Sequence, residues 1–470
     1  GSVFFSTAPT GSSSEEADRR RFPVARSRTP VYNPRVSDRT PPEHQDRVLY
    51  VLLLVVLGGI IAAGLVADGP AASLSGLWRL QIHPARLLND FTLAAGPGAA
   101  LVNAALVALI GLGLVRLNGV RLSGPTVAAV LTMFGFGLFG KTPLNIVPVL
   151  TGVYVAAKLA RREFSEYILI ALFGTALAPL VSLLAVELEL RLLIGMPVAA
   201  LAGVAVGLIL PAIARAMLRL HQGYNLYNIG LTTGFIALFA AALIFGRGEQ
   251  ISGGGVWNLD PSPVLVFLTP SVSAVVAVAG VVMGGATSFR SFARILKLPG
   301  RLPSDFMSME SVPGALVNMG IMGLALWGYV MLVGAPVNGP VIGGLFTVIG
   351  FASFGKHPRN VWPVLAGVVL AALVFGRDLA SPGVILAALF GTTLAPLAGD
   401  FGSLVGIVAG FLHLTIVMRS GAWHAGIGLY NNGFAGGLTA TLLVSLIEWY
   451  RASFPTGRLR RAETSDKETQ

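Results

Sequence analysis

The sequence predicts an all-α integral membrane protein of two inverted repeats, each with about seven hydrophobic segments and with short broken or re-entrant helices. Three observations predict it. First, the 470 residues are 54% hydrophobic and only 12% charged, where a soluble chain carries about 25% charged residues. Second, a polar stretch inside an apolar region, Phe136 to Gly152 (F-G-L-F-G-K-T-P-L-N-I-V-P-V-L-T-G), returns 215 residues later as Phe351 to Gly367 (F-A-S-F-G-K-H-P-R-N-V-W-P-V-L-A-G). Third, basic residues trade places between the two copies of most loops, as they do when the copies enter a bilayer in opposite orientations.

In chain order, residues 1–46 are rich in Ser, Pro, Arg and Glu without apolar periodicity and predict a disordered basic tail. Its Gly-Ser start reads as a trimmed or tagged terminus, and nothing in it has the basic-then-apolar order of a signal peptide. The first repeat, 47–246, holds apolar segments at about 48–67, 97–116, 122–140, 146–160, 166–186, 192–214 and 228–246. A polar, Gly-rich linker, 247–262, leads to the second repeat, 263–450, with segments at about 263–285, 312–333, 337–355, 361–376, 382–399, 402–418 and 428–449. Residues 451–470 predict a second disordered tail. Most segments approach the roughly 20 residues that cross a hydrocarbon core of about 30 Å. The third and fourth of each repeat are short and interrupted by Gly and Pro, so each pair either crosses twice or re-enters on one side; both leave an odd number of crossings. The 58 glycines and 28 prolines fit close helix packing and broken helices. The absence of cysteine excludes disulfides and thiolate metal sites.

The repeats align motif by motif. P-A-R-L-L-N-D-F from Pro84 answers P-G-R-L-P-S-D-F from Pro299, and A-L-V-N recurs at Ala100 and Ala315. S-G-P at Ser123 answers N-G-P at Asn338, and A-L-F-G-T-A-L-A-P-L from Ala171 answers A-L-F-G-T-T-L-A-P-L from Ala388. G-x-x-x-G recurs as Gly203/Gly207 and Gly406/Gly410, and L-Y-N-I-G from Leu226 answers L-Y-N-N-G from Leu429, each five residues after a His. With the N-terminal tail inside, only 7 of the 33 Lys and Arg fall outside. Arg290, Arg294, Lys297 and Arg301 outnumber Arg79 and Arg86 in the opposite copy; Arg191, against the Asp400 region, is the one loop that breaks the alternation. The net charge of +11 therefore sets orientation in a lipid bilayer, with both termini cytoplasmic, and does not suggest nucleic acid.

Inverted repeats with paired interrupted helices describe a transporter or channel with its site between the halves. The first candidates for substrate binding are Lys141, Asn145, Lys356 and Asn360. The asparagines fit N-caps of the following helices, and helix N-termini with lysines suit an anion; the plainer alternative is lysines snorkelling at helix ends. The second are Tyr227, Asn228, Tyr430, Asn431 and Asn432, neutral donors and acceptors beside glycines, or else caps and packing residues. Asp90, Asp305 and Asp400 are candidate coupling carboxylates; the first two read more readily as local caps or partners of Arg86 and Arg301, and Asp400 equally as a loop turn. Asn103 and Asn318 read as interhelical hydrogen-bonding residues and the G-x-x-x-G pairs as packing features. No P-loop, metalloprotease or serine-hydrolase motif is present, so no catalytic residue, cofactor or metal is assigned and transport is not ATP-driven.

The F-G-K-x-x-x-N-x-x-P-V, F-G-T-x-L-A-P and G-x-x-L-Y-N-x-G motifs together resemble a family of bacterial multi-pass membrane proteins, domain of unknown function 1576, over about residues 48–450. The resemblance implies a bacterial cytoplasmic (inner) membrane location and no particular activity. More loosely, G-I-G-L-Y-N-N-G-F-A-G-G from Gly426 is similar to a late-repeat signature of urea transporters, which are inverted repeats of five helices plus a re-entrant element. The reading is a transporter or channel for a small polar or anionic solute, possible as a homo-oligomer. The alternatives are an intramembrane enzyme using Asp90, Asp305 or Asp400, and a non-transporting scaffold subunit.

Overall fold

The computed structural model describes residues 43–87, 89–187, 192–246 and 255–454. The expected disordered tails lie outside these residues, except for 43–46 and 451–454, where the first and last helices end. Eight helices in each repeat are numbered so that αn answers αn+8. The first repeat runs α1 (Glu43–Asp68), α2 (Pro70–Gln81), α3 (Pro97–Leu117), α4 (Gly124–Gly137), α5 (Pro143–Leu159), α6 (Phe164–Val186), α7 (Leu192–His221) and α8 (Asn228–Ile244). The second runs α9 (Pro263–Gly284), α10 (Ala286–Ile295), α11 (Val312–Leu332), α12 (Gly339–Phe351), α13 (Pro358–Val374), α14 (Pro382–Phe401), α15 (Ser403–Trp423) and α16 (Asn431–Ser453). Eight of the described helices are long and apolar enough to cross a membrane; the protein is a multi-pass membrane protein.

The duplicated F-G-K stretch is the turn of a re-entrant hairpin. Helix α4 has 14 residues, about 21 Å at 1.5 Å per residue, too short for a hydrocarbon core of about 30 Å. Its turn lies inside the span of α3, because the Asn103 amide donates to Gly137 O at 2.7 Å and Lys141 O at 2.8 Å. Helix α5 then goes back the way α4 came. Asn145, at its start, bonds Ser182 at 3.0 Å. Ten residues earlier in α6, Leu172 faces Gly111, nearer the far end of α3. The end of α5 meets the start of α6 where the Tyr154 and Phe164 rings are 5.5 Å apart. The start of α4 and the end of α5 thus share one side. The repeat-2 turn is held the same way, by Asn318 to Ala352 O and Lys356 O, each at 2.7 Å.

The loops gather at two opposite ends. At one end Leu122 N donates to Asp46 (2.7 Å), Gly124 N to Asp305 (3.1 Å), and Leu302 N to Gly223 O (3.1 Å). At the other, Asn258 N donates to Asp90 (3.2 Å), the Asn338 amide to Asn258 O (2.9 Å), and Leu87 N to Gly426 O (2.9 Å). Loop charges predict the same partition. The inversion is direct at α4 and α12, which pack antiparallel. The start of α4 at Gly124 meets Ser353 beyond the end of α12, and the start of α12 at Gly339 meets Leu138 beyond the end of α4. Small residues bring the two backbones together, Gly135 against Gly343 and Ala128 against Gly350, as in close-packed membrane helices generally. Helices α8 and α16 cross at Gly230 and Gly433, equivalent residues in contact with each other; this point lies on the approximate two-fold axis.

The G-x-x-x-G glycines act in packing, as their spacing suggests. A β-carbon at Gly207 would sit 2.3 Å from Val149 O, and one at Gly410 would sit 2.0 Å from Val364 O, so α7 lies on α5 and α15 on α13 with backbones touching. Overpacking such a contact costs about 1–3 kcal/mol. Gly410→Leu is expected to lower the melting temperature of the purified protein by several degrees. Gly113→Leu, where the space is open, is expected to leave it unchanged.

Candidate functional site

The break in each hairpin delivers its lysine to the middle of the protein. Lys141 and Lys356 are both 0% exposed. Lys141 Nζ donates to the Tyr430 hydroxyl at 2.8 Å, and Lys356 Nζ donates to the Tyr227 hydroxyl at 2.5 Å. Each lysine is therefore held by a tyrosine of the other repeat. Lys356 also reaches Thr392 Oγ1 at 2.7 Å. The ammonium of Lys141 lies 5.5 Å and 4.8 Å from the centroids of the Phe136 and Tyr430 rings, and that of Lys356 lies 5.1 Å and 4.5 Å from those of Phe351 and Tyr227, within cation–π range. Neither has a carboxylate at salt-bridge distance among the described residues.

The tyrosines are set by the breaks in α6 and α14. The F-G-T-x-L-A-P motif forms a 3₁₀ turn at Thr175–Leu177 and again at Gly391–Leu394, with proline just after it. These turns present Ala176 O and Thr393 O, which accept the N–H groups of Leu429 and Leu226, each at 3.1 Å. The L-Y-N loop of each repeat is thereby pinned to the broken helix of the other. The histidines five residues upstream complete the loops. His221 Nε2 lies 3.0 Å from Asn228 Oδ1, and His424 Nε2 lies 3.1 Å from Asn431 Oδ1.

Between these elements lies a cavity of about 570 Å³. Its floor is made of equivalent pairs from the two repeats: Thr132 and Thr347, Phe136 and Phe351, Phe173 and Phe390, Tyr227 and Tyr430. Its mouth is not paired. Leu218, Arg219, Gln222 and Leu302 line it, while their counterparts Gly421, Ala422, Ala425 and Leu87 do not. The opening is thus on the end that carries Gly223 and Leu302.

The structure sorts the residues singled out by the sequence. Tyr227, Tyr430, Asn228 and Asn432 line the cavity, and Lys141 and Lys356 stand behind its tyrosines. Asn145 and Asn360 do not line it and are not N-caps. Thr142 and His357 hold that position, and each asparagine sits three residues on, closing a capping box with its side chain. Asn431 is away from the cavity, bonded to Ser420 and His424. Asp90 and Asp305 are caps of two helices at once. Each accepts from the turn that follows it, at Thr92 N and Met307 N. Each also accepts from the start of the re-entrant helix of the other repeat, at Gly339 N and Gly124 N. Arg301 does not pair with Asp305; it donates to Gln222 O and to the Tyr224 hydroxyl. Asp400 is exposed and bonded to Tyr224. Sequence reasoning missed the phenylalanines of the floor, although all lie inside the duplicated motifs, and missed Thr132 and Arg219, which no motif marks.

A family model described as protein of unknown function, DUF1576, matches residues 70–245 and 285–449; each match leaves out the first helix of a repeat. No curated protein and no solved structure matches the chain.

A buried ammonium without a carboxylate destabilises a fold by several kcal/mol, only partly offset by hydroxyls and rings. Lys141→Met and Lys356→Met are accordingly expected to keep or raise the melting temperature in detergent micelles. A loss of about 3 kcal/mol or more would mark the lysine–tyrosine bonds as structural ties.

Proposed function

The chain belongs to the DUF1576 family, and we propose that it is a membrane transporter for a small anionic solute, working by alternating access between its two inverted repeats. One observation carries the reading: the floor of the central cavity is two-fold symmetric while its mouth is open at one end only. In an inverted repeat the symmetry-related arrangement, open at the other end, is built from equivalent contacts wherever the two repeats carry the same residues, with their roles exchanged. The 3₁₀ breaks in α6 and α14 and the L-Y-N loops pinned to them are the elements whose exchange moves the opening from one end to the other.

The charge around the floor supports an anion. Lys141 and Lys356 back it, Arg219 borders the mouth, and no carboxylate among the described residues lines it. The acidic residues that an intramembrane enzyme would use are occupied as helix caps, at Asp90 and Asp305, or exposed, at Asp400, which favours permeation over catalysis. The open end carries Arg290, Arg294, Lys297 and Arg301. By the positive-inside rule it faces the cytoplasm of a bacterial inner membrane, with both termini on that side. No ATP motif drives the cycle, so it runs downhill or on an ion gradient.

The chain has no cysteine, so single cysteines report cleanly. Gln222→Cys and the equivalent Ala425→Cys are to be labelled with a membrane-impermeant maleimide from each side of sealed vesicles. Gln222→Cys is expected to react only from the cytoplasmic side and Ala425→Cys only from the other. Locking the cavity open, with a bulky adduct at Gln222→Cys, should suppress labelling at Ala425→Cys in the double variant by at least tenfold. Undiminished labelling of both would replace the carrier by a channel, and a lasting failure of Ala425→Cys to react would remove alternating access.

A further inference from the structure

The cavity wall is apolar almost throughout, although two lysines stand behind it and an arginine beside it. Phenyl rings of Phe136, Phe351, Phe173 and Phe390 make its body. The Oδ1 atoms of Asn228 and Asn432, whose side chains reach it, are already bonded to His221 and His413. A hydrated inorganic anion or urea entering this space loses most of its water and meets few donors, the Asn432 amide and the two tyrosine hydroxyls among them. An apolar body loses nothing and gains ring contacts, in a volume within the usual range for small-molecule sites.

Two polar features stand out against this wall. Arg219 lies exposed at the mouth and has no carboxylate partner among the described residues. Its counterpart is Ala422, so the cation belongs to the open end alone. Deeper in, the Thr132 hydroxyl is buried at 2% exposure and makes no hydrogen bond, whereas the equivalent Thr347 donates to Gly343 O at 2.7 Å. The cavity therefore offers an unused cation at its entrance, an aromatic barrel behind it, and one unused hydroxyl in the barrel.

Resting on the transport reading, we infer that the solute is an amphipathic organic anion. Its carboxylate or phosphate is held at Arg219, its apolar body lies among the phenylalanine rings, and the body carries or tolerates a polar atom at Thr132. A water-soluble aromatic carboxylate and a single-chain anionic lipid share this chemistry.

The test is isothermal titration into the full-length protein in nanodiscs, with 3-phenylpropionate, its neutral analogue 3-phenyl-1-propanol, and propionate as probes. The aromatic carboxylate is expected to bind at least tenfold more tightly than either analogue, because a charge-assisted bond and the apolar contacts act together. Arg219→Gln should weaken 3-phenylpropionate at least tenfold and leave 3-phenyl-1-propanol unchanged, which also shows that the variant is folded. Arg215→Gln, one turn away and off the cavity, should bind as the parent does. Displacement of the carboxylate by lysophosphatidylglycerol at lower concentration would assign the lipid as the source of the anion. Equal binding of acid and alcohol, or an unchanged Arg219→Gln, would overturn the proposal, as would no binding of either the aromatic acid or the lysolipid. Binding that responds to Arg219 without reciprocal cysteine labelling would keep the anion and discard transport; reciprocal labelling without such binding would do the reverse.

Discussion

Two fully buried lysines with no carboxylate partner among the described residues are the constraint around which this protein is arranged. Lys141 and Lys356 each sit where a membrane interior least tolerates a cation, and each is met by a tyrosine hydroxyl and two aromatic rings. To bring a lysine there, the chain must enter the membrane, turn, and leave on the same side. To bring a tyrosine to it, the last helix of the other repeat must begin deep inside the bundle. The hairpins and the L-Y-N loops are therefore parts of one arrangement, and neither has an evident purpose without the other.

Turning the backbone inside a membrane exposes carbonyl and N–H groups that water cannot reach. Here side chains with counterparts in the other repeat satisfy several of these groups. Asn103 and Asn318 hold the carbonyls at the ends of α4 and α12. Asn145 and Asn360 close the capping boxes of α5 and α13. Asp90 and Asp305 reach across to the first N–H of the opposite re-entrant helix. Cross-repeat capping ties the hairpins to each other while leaving the long outer helices bound mainly by packing. That division, a polar centre within an apolar frame, suits a central site around which the frame can move.

The departures from symmetry are as informative as the symmetry. His413 and Asn432 form a hydrogen-bonded pair beside the cavity where the first repeat has Leu210 and Ile229. Asn225 stands where the second repeat has Gly428, and Arg219 where it has Ala422. An exchange of the two repeats would therefore give states of similar shape but different chemistry, and a solute would meet different side chains on its two approaches.

The sequence by itself determined the membrane class, the duplication and the partition of the loops between two ends. These follow from apolar run length, motif recurrence and loop charge, which are local properties of the chain. It also marked the lysines and the tyrosines that meet them, because each occurs twice. It did not determine that Lys141 meets Tyr430 rather than the tyrosine of its own repeat, since a duplicated sequence is equally consistent with pairing within or between copies. It mistook Asn145 and Asn360 for N-caps, because a residue three positions into a capping box leaves the same local signature. Only the tertiary structure decided these points, along with the one-sided mouth of the cavity. Two copies of one motif set carry no information about which end is open; that is set by how the helices of the two repeats pack around the shared floor.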